Sequence, residues 1–194
     1  MKEYEAELDQ MLFYLPLSGS AFKKVYYDEI MQRAVSKFVP ADDLVVPYTA
    51  TSLDDAESII HVVKISENEL RKQQVGGFYR DIELNPSYVN ESDIEKKERE
   101  LDGTRKGRDE RIFSLLECHV NLDIDGFNDV DAEGLPTGIK LPYIVTIEEG
   151  SRETLSIRRN YEIGDPLKNK IDYFVHFKFL PGLGFYGFGL IHMI

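Results

Sequence analysis

The sequence predicts an α+β fold, mainly antiparallel sheet with peripheral helices, and three features carry that expectation. Apolar, β-branched and aromatic runs of strand length recur between Gly-, Pro- and Asx-rich breaks. Helical patterning is confined to a few short stretches, one of them opened by a capping box. From residue 112 onward the chain reads as consecutive strands, and a β-meander over 112–180 is the economical arrangement.

Taken in order, residues 2–14 read as the end of a helix. Tyr4, Leu8, Met11 and Leu12 fall on one face and Glu3, Glu7 and Gln10 largely opposite, with Pro16 and Ser18-Gly19-Ser20 as the break. Strands are expected at 22–27 and 34–39. Leu44-Val45-Val46 closes on Pro47, which has no N–H for a ladder, so that strand should be short or at an edge. A helical turn is expected over 54–58, then a strand at 59–65 with apolar residues crowded on both sides. Ser66 and Glu69 have capping-box spacing: the hydroxyl accepts from the Glu69 amide and the carboxylate reaches back. The helix they open should run through Leu70 to about Val75 and stop at Gly76-Gly77.

Residues 91–111 carry eight acidic and seven basic side chains, with a helix expected over 93–101 and Gly103 ending it. The interleaved charges nearly cancel and no aromatic is present to stack on bases, so the stretch reads as a solvated connection and not as a nucleic-acid contact. Beyond it, residues 113–127 alternate. Leu116, Cys118, Val120, Leu122 and Ile124 share the apolar face, against His119, Asn121, Asp123 and Asp125. Residues 141–147 and 154–158 form a hairpin around Glu149-Gly150-Ser151. A last strand at 173–180 puts Tyr173, Val175, Phe177 and Phe179 on one face, with Phe174, His176 and Lys178 on the other, half-exposed one. The organisation expected is a mixed part over 1–111 and a β part over 112–194, together one incomplete domain without internal repeats.

Composition narrows the function classes. At 194 residues and 42% hydrophobic, the chain can bury a sizeable core. A net charge of −12 argues against a sequence-independent grip on DNA, which needs Lys and Arg to displace counterions, while an acidic wall lets DNA pass without sticking. One cysteine, Cys118, rules out an intrachain disulfide and fits a reducing compartment. No window approaches twenty apolar residues and the charged start lacks signal-peptide layout, so no membrane partner and synthesis in the cytoplasm are expected. The last sixteen residues are apolar, aromatic and punctuated by glycine. They read as a core element that should continue, hence as part of a longer protein.

No enzyme signature emerges from the motifs, and no catalytic residue, cofactor or metal is assigned. Gly182-Leu-Gly184-Phe-Tyr-Gly187 fits the G-x-G-x-x-G pattern of dinucleotide loops. Such a loop also requires a buried parallel strand before it and an acidic residue about twenty positions after it. Neither is present, and a glycine-aromatic packing turn is the simpler reading. Asn121-Leu-Asp123-Ile-Asp125-Gly126 has the opening spacing of a calcium loop. Its twelfth position is Ala132, Glu133 misses by one, and a strand rather than a helix runs into it. The four histidines, His61, His119, His176 and His192, have no metal-ligand spacing. Cys118 reads as a small buried hydrophobe.

Several blocks, in order, are similar to the portal protein of short-tailed, double-stranded-DNA bacteriophages. They are MLFYLPLSGSAFKKVYYD at 11–28, FVPADDLVVPY at 38–48, NELRK at 68–72, GFYRD at 77–81, GIKLPY at 138–143 and FKFLPGLGFYGFGLIH at 177–192, the last the most distinctive. The resemblance implies a virion structural protein made in the host cytoplasm: one subunit of a homo-oligomeric ring, typically of about twelve copies. Double-stranded DNA would be packaged and ejected through that ring without sequence-specific contacts, and capsid, terminase and tail proteins would attach to it. Family members are several hundred residues long, so this chain would be an internal portion from the peripheral wing region. The stem, the terminase-docking clip and the C-terminal part are not identifiable in it. Phe185, Tyr186 and Phe188 are the expected packing contacts, against a neighbouring subunit or further chain. The alternatives are another connector or tail component, or a cation-dependent enzyme using Asp123 and Asp125.

Overall fold

The computed structural model describes residues 4–28, 32–84, 97, 112–131 and 133–194. The fold is α+β with two antiparallel sheets. Helix α1 (Tyr4–Ser18) leads into β1 (Ser20–Asp28) and β2 (Arg33–Pro40), and then into the two-residue β3 (Leu44–Val45). Next come β4 (Ser58–Ser66), α2 (Glu67–Val75), β5 (Ile112–Leu122), β6 (Leu141–Glu148), β7 (Thr154–Arg159) and β8 (Phe174–Lys178). One sheet has the order β2-β1-β8, the other β3-β4-β5-β6-β7. The short strand ending before Pro47 is accordingly an edge. The charged helix expected over 93–101 and the connection around it lie outside the described residues, Lys97 apart.

By compactness the chain divides into two units. The first comprises residues 1–61, 119–143 and 159–194; the second comprises 62–118 and 144–158.

In the first unit, α1 continues through Pro16 instead of stopping there. Pro16 orphans the carbonyl of Leu12, whose residue is on the exposed side where solvent can satisfy it. The final turn is closed by Gly19 N–H to Leu15 O at 2.9 Å, and the Ser18 hydroxyl donates to Tyr14 O at 3.1 Å. The buried stripe is narrower than the periodicity suggests: Met11 is buried and Leu8 half-buried, while Tyr4 and Leu12 are exposed. The Tyr4 ring receives the ammonium of buried Lys23 at 3.9 Å, a cation–π contact of about 1–2 kcal/mol once water is excluded. The core gathers Phe22, Val39, Leu44, Ala50, Ile59, Phe174 and Phe185. Where the sequence predicts a helical turn, at 54–58, Asp55 instead closes a tight turn. Its carboxylate accepts from the Thr51 and Ser52 amides at 3.1 and 2.8 Å.

Strand β8 departs from the expected meander. β5, β6 and β7 are neighbours in order, but β8 pairs antiparallel with β1, Ser20 opposite Lys178 and Lys24 opposite Phe174. Tyr173 O and Gly19 O extend the pairing at its two ends, accepting from Val25 and Phe179. This puts the Phe174/His176 face inward and leaves Val175 and Phe179 exposed, the reverse of the half-exposed face expected for His176 and Lys178. In β5 too the inward set is the other one. Phe113, Leu115 and His119 are buried, whereas Leu116, Cys118 and Val120 are only half-buried. β5 ends at Leu122, because Asp123 onward turns away.

In the second unit, Leu70, Phe113, Leu115 and Leu155 form the core. α2 starts as expected, with Ser66 Oγ accepting from Glu69 N at 3.3 Å, but the Glu69 carboxylate takes Lys72 at 3.2 Å. It ends at Gly76, and Gly77 adopts φ +76°, a left-handed position suited to glycine. Buried Gln74 donates to Arg80 O and Ile82 O at 3.3 and 2.8 Å, tying the stretch after α2 to the helix. The β6–β7 hairpin turns where expected. Its anchor is Glu148, only 1% exposed, whose carboxylate accepts the Gly150 and Ser151 amides at 3.1 and 2.6 Å. Removing the α2 cap with Ser66→Ala is expected to cost about 1 kcal/mol in urea unfolding. No loss would mean that packing alone sets the start of α2.

Candidate functional site

The Gly-aromatic stretch after β8 brings together more of the sequence-predicted residues than any other described region, all within the first unit. Its backbone crosses directly over the end of α1. A Cβ placed on Gly19, itself at φ +83°, would lie 2.4 Å from Gly189 N; one on Gly187 would lie 2.5 Å from Gly19 O. On Gly189 it would lie 2.3 Å from Leu17 O. Two backbones meet here at distances that only glycine permits. Gly182 closes the turn on itself, since its Cβ would be 2.1 Å from Tyr186 O, while Gly184 faces open space. The close approach that a dinucleotide loop would offer a pyrophosphate is therefore taken up by the chain's own backbone. After the motif comes a 3-10 turn, Leu190–Met193, and not the α-helix such a loop opens.

Ser20 holds this crossing. Its Oγ accepts the buried Gly187 amide at 2.8 Å and lies 3.1 Å from His176 Nε2. The imidazole lies near parallel to Phe22 at 4.4 Å and to Phe185 at 4.8 Å, and the two phenyl rings are themselves 5.9 Å apart, so the three rings form a triangular cluster. Burial in this cluster, and secondarily the Lys178 charge, lower its pKa from the usual 6.5 to about 4.

Of the three expected packing residues, Phe185 is buried in its own unit's core, with Tyr186 edge-on to it at 5.0 Å. The Tyr186 hydroxyl donates to Leu44 O at 3.3 Å. Burial, with the Asp42 charge second, raises its pKa. Phe188 bridges to Leu180 through paired backbone bonds and keeps an exposed ring beside His192. Sequence spacing carries no sign that other histidines converge here. His61 and His119, on different strands, both set their ring edges against Phe174, at 5.6 and 5.2 Å.

The acidic loop is used piecemeal. Asp123 accepts from Asn128 at 2.8 Å, and Asp131 from the Glu133 and Leu135 amides at 2.9 Å each. Asp129 pairs with Lys168 and accepts from Thr137 Oγ1 at 2.7 Å, and these bonds lower its pKa. Among the described residues no group of three or more His, Cys, Asp or Glu is placed to hold a metal ion. Burial, and then the neighbouring Glu117, raise the Cys118 thiol pKa, the opposite of what a nucleophile requires.

Within the second unit a groove of about 440 Å³ runs beside α2. Leu70, Leu84 and Phe113 give it apolar lining, and the Arg71–Asp81 ion pair and Glu83 also line it. Its described lining contains no nucleophile paired with a base.

No protein-family model matches the sequence, and no curated protein matches it.

The crossing sets two expectations. Gly187→Ala and Gly189→Ala should each cost about 1–3 kcal/mol through overpacking against backbone, whereas Gly184→Ala should stay within about 0.5 kcal/mol. Equal urea midpoints for all three would sink the backbone-contact assignment. The His176 pKa is depressed on folding, so the unfolded chain binds the extra proton first. Stability contributed by the neutral imidazole is present above about pH 6.5 and is lost as pH falls towards about 4. His176→Phe, which keeps the ring cluster, should remove up to one proton of that dependence in urea titrations between pH 4 and 7. An unchanged slope would place the titrating group elsewhere.

Proposed function

We propose that this chain is part of the portal protein of a short-tailed, double-stranded-DNA bacteriophage, a structural subunit of the ring at the capsid vertex. The observation that carries the reading is the ordered series of six resembling blocks, ending in the Gly-aromatic run at 177–192. The blocks coincide with residues that build the two cores. Phe22, Val39, Leu44 and Phe185 come from three of them and share one cluster, while Leu70 and Tyr79 come from two others and share the second. A resemblance seated in core-forming residues speaks for a shared packing scheme more than for a borrowed surface motif.

The role so proposed is mechanical. The subunit supports a channel through which DNA is packaged and ejected, with capsid, terminase and tail proteins as the partners of the whole ring. A net charge of −12 suits a protein that must not trap the passing DNA. The test is electron microscopy of the protein expressed from its complete reading frame. A ring of about twelve subunits with an axial channel is the expected result. A compact monomer or dimer would overturn the portal reading.

A further inference from the structure

Residues 11–22 and 179–194 contain no Asp, Glu, Lys or Arg, although a chain that is 30% charged would place about eight such residues among them. The two stretches meet in the first unit, where Gly189 lies against Leu17. Among their exposed large side chains are these six: Phe13, Leu17, Phe188, Leu190, Ile191 and Met193, with Phe13 at 72%, Ile191 at 68% and Met193 at 56%. Phe13 and Leu17 are one turn apart on the helix face away from buried Met11. The 3-10 turn carrying Leu190, Ile191 and Met193 comes directly after Gly189.

We propose that this uncharged apolar surface is a self-association site whose occupant is a second copy of the same chain. Area and charge argue for it together. With large aromatic side chains near 200 Å² and aliphatic ones somewhat smaller, the six expose roughly 600 Å². That is at the top of the roughly 300–600 Å² typical of the largest patch on a monomer, and about three quarters of the 800 Å² or so per partner of a stable interface. Two copies at −12 each repel over most of their surface, and the repulsion is least where neither presents a charge. The partner best matched to an uncharged apolar patch on so acidic a protein is therefore that patch's own copy, in a self-complementary contact. The site is independent of the portal reading. A closed dimer through this face would keep it and sink the portal, and a ring joined elsewhere would do the reverse.

Sedimentation velocity and light scattering on the protein expressed from its complete reading frame test it, with Phe13→Asp and Ile191→Asp as variants. Ile163→Asp, at a position more exposed than either but outside the patch, is the control. All three positions are solvent-facing, and circular dichroism with thermal unfolding verifies that the variants fold. The expected result is reversible, concentration-dependent association, weakened about tenfold or more by either patch variant and unchanged by Ile163→Asp. Raising salt should strengthen association by screening the acidic bodies. A monomer at every concentration up to about 200 µM, or association that all three variants leave intact or weaken alike, overturns the proposal.

Discussion

The first unit depends on a backbone crossing. Where α1 ends, Gly19 bends the chain through a left-handed conformation and presents Leu17 O, Gly19 O and Ser20 Oγ to the strand running from Gly187 to Gly189. Side chains larger than hydrogen at those positions would hold the two backbones apart, and the aromatic residues between them would lose their seats. With the crossing in place, Phe185 comes down on His176 and His176 on Phe22. Three rings from three separate parts of the chain thus become one mutually packed cluster. Fully burying a side chain such as Phe22 contributes about 2–3 kcal/mol, and stacking adds about 1 kcal/mol more. Ser20 then satisfies an amide and an imidazole nitrogen that the crossing would otherwise leave buried without a partner.

The second unit solves the same problem with side chains in place of glycine. In the described stretch after α2 the carbonyls of Arg80 and Ile82 go to Gln74, while Arg80 N–H goes to Leu155 O. At the hairpin tip Glu148 does the equivalent for the turn amides. A buried carboxylate is tolerable there because backbone N–H groups replace its water. Both devices are structural, which is why polar residues can be buried without forming a reactive centre.

For function, the division of labour among residue types matters more than any single group. The histidines serve as ring-packing elements, the loop acids cap turns, and the lone cysteine sits half-buried beside a carboxylate. The uncharged face of α1 and the final turn is the surface proposed above for self-association.

The local elements are legible in residues only a few positions apart. Ser66 and Gly77 bracket α2, Pro47 keeps β3 short, and Gly150 with Ser151 places the hairpin, because each rests on a preference settled within a single turn of chain. Packing as the purpose of Gly182 and Gly187 can also be read, from the bulk of Phe185 and Tyr186 between them. Which face of a strand turns inward was decided only by tertiary structure. β5 and β8 carry apolar residues on both sides, so alternation could not choose, and a one-residue difference in facing exchanges the whole set. The choice fell to partners remote in sequence: β1 for β8, and Phe174 for His119. The extension of α1 through Pro16 has the same origin. The penalty for proline is local, but the contacts of Leu17 and Gly19 with residues 187–189 that hold the last turn in place come from the other end of the chain.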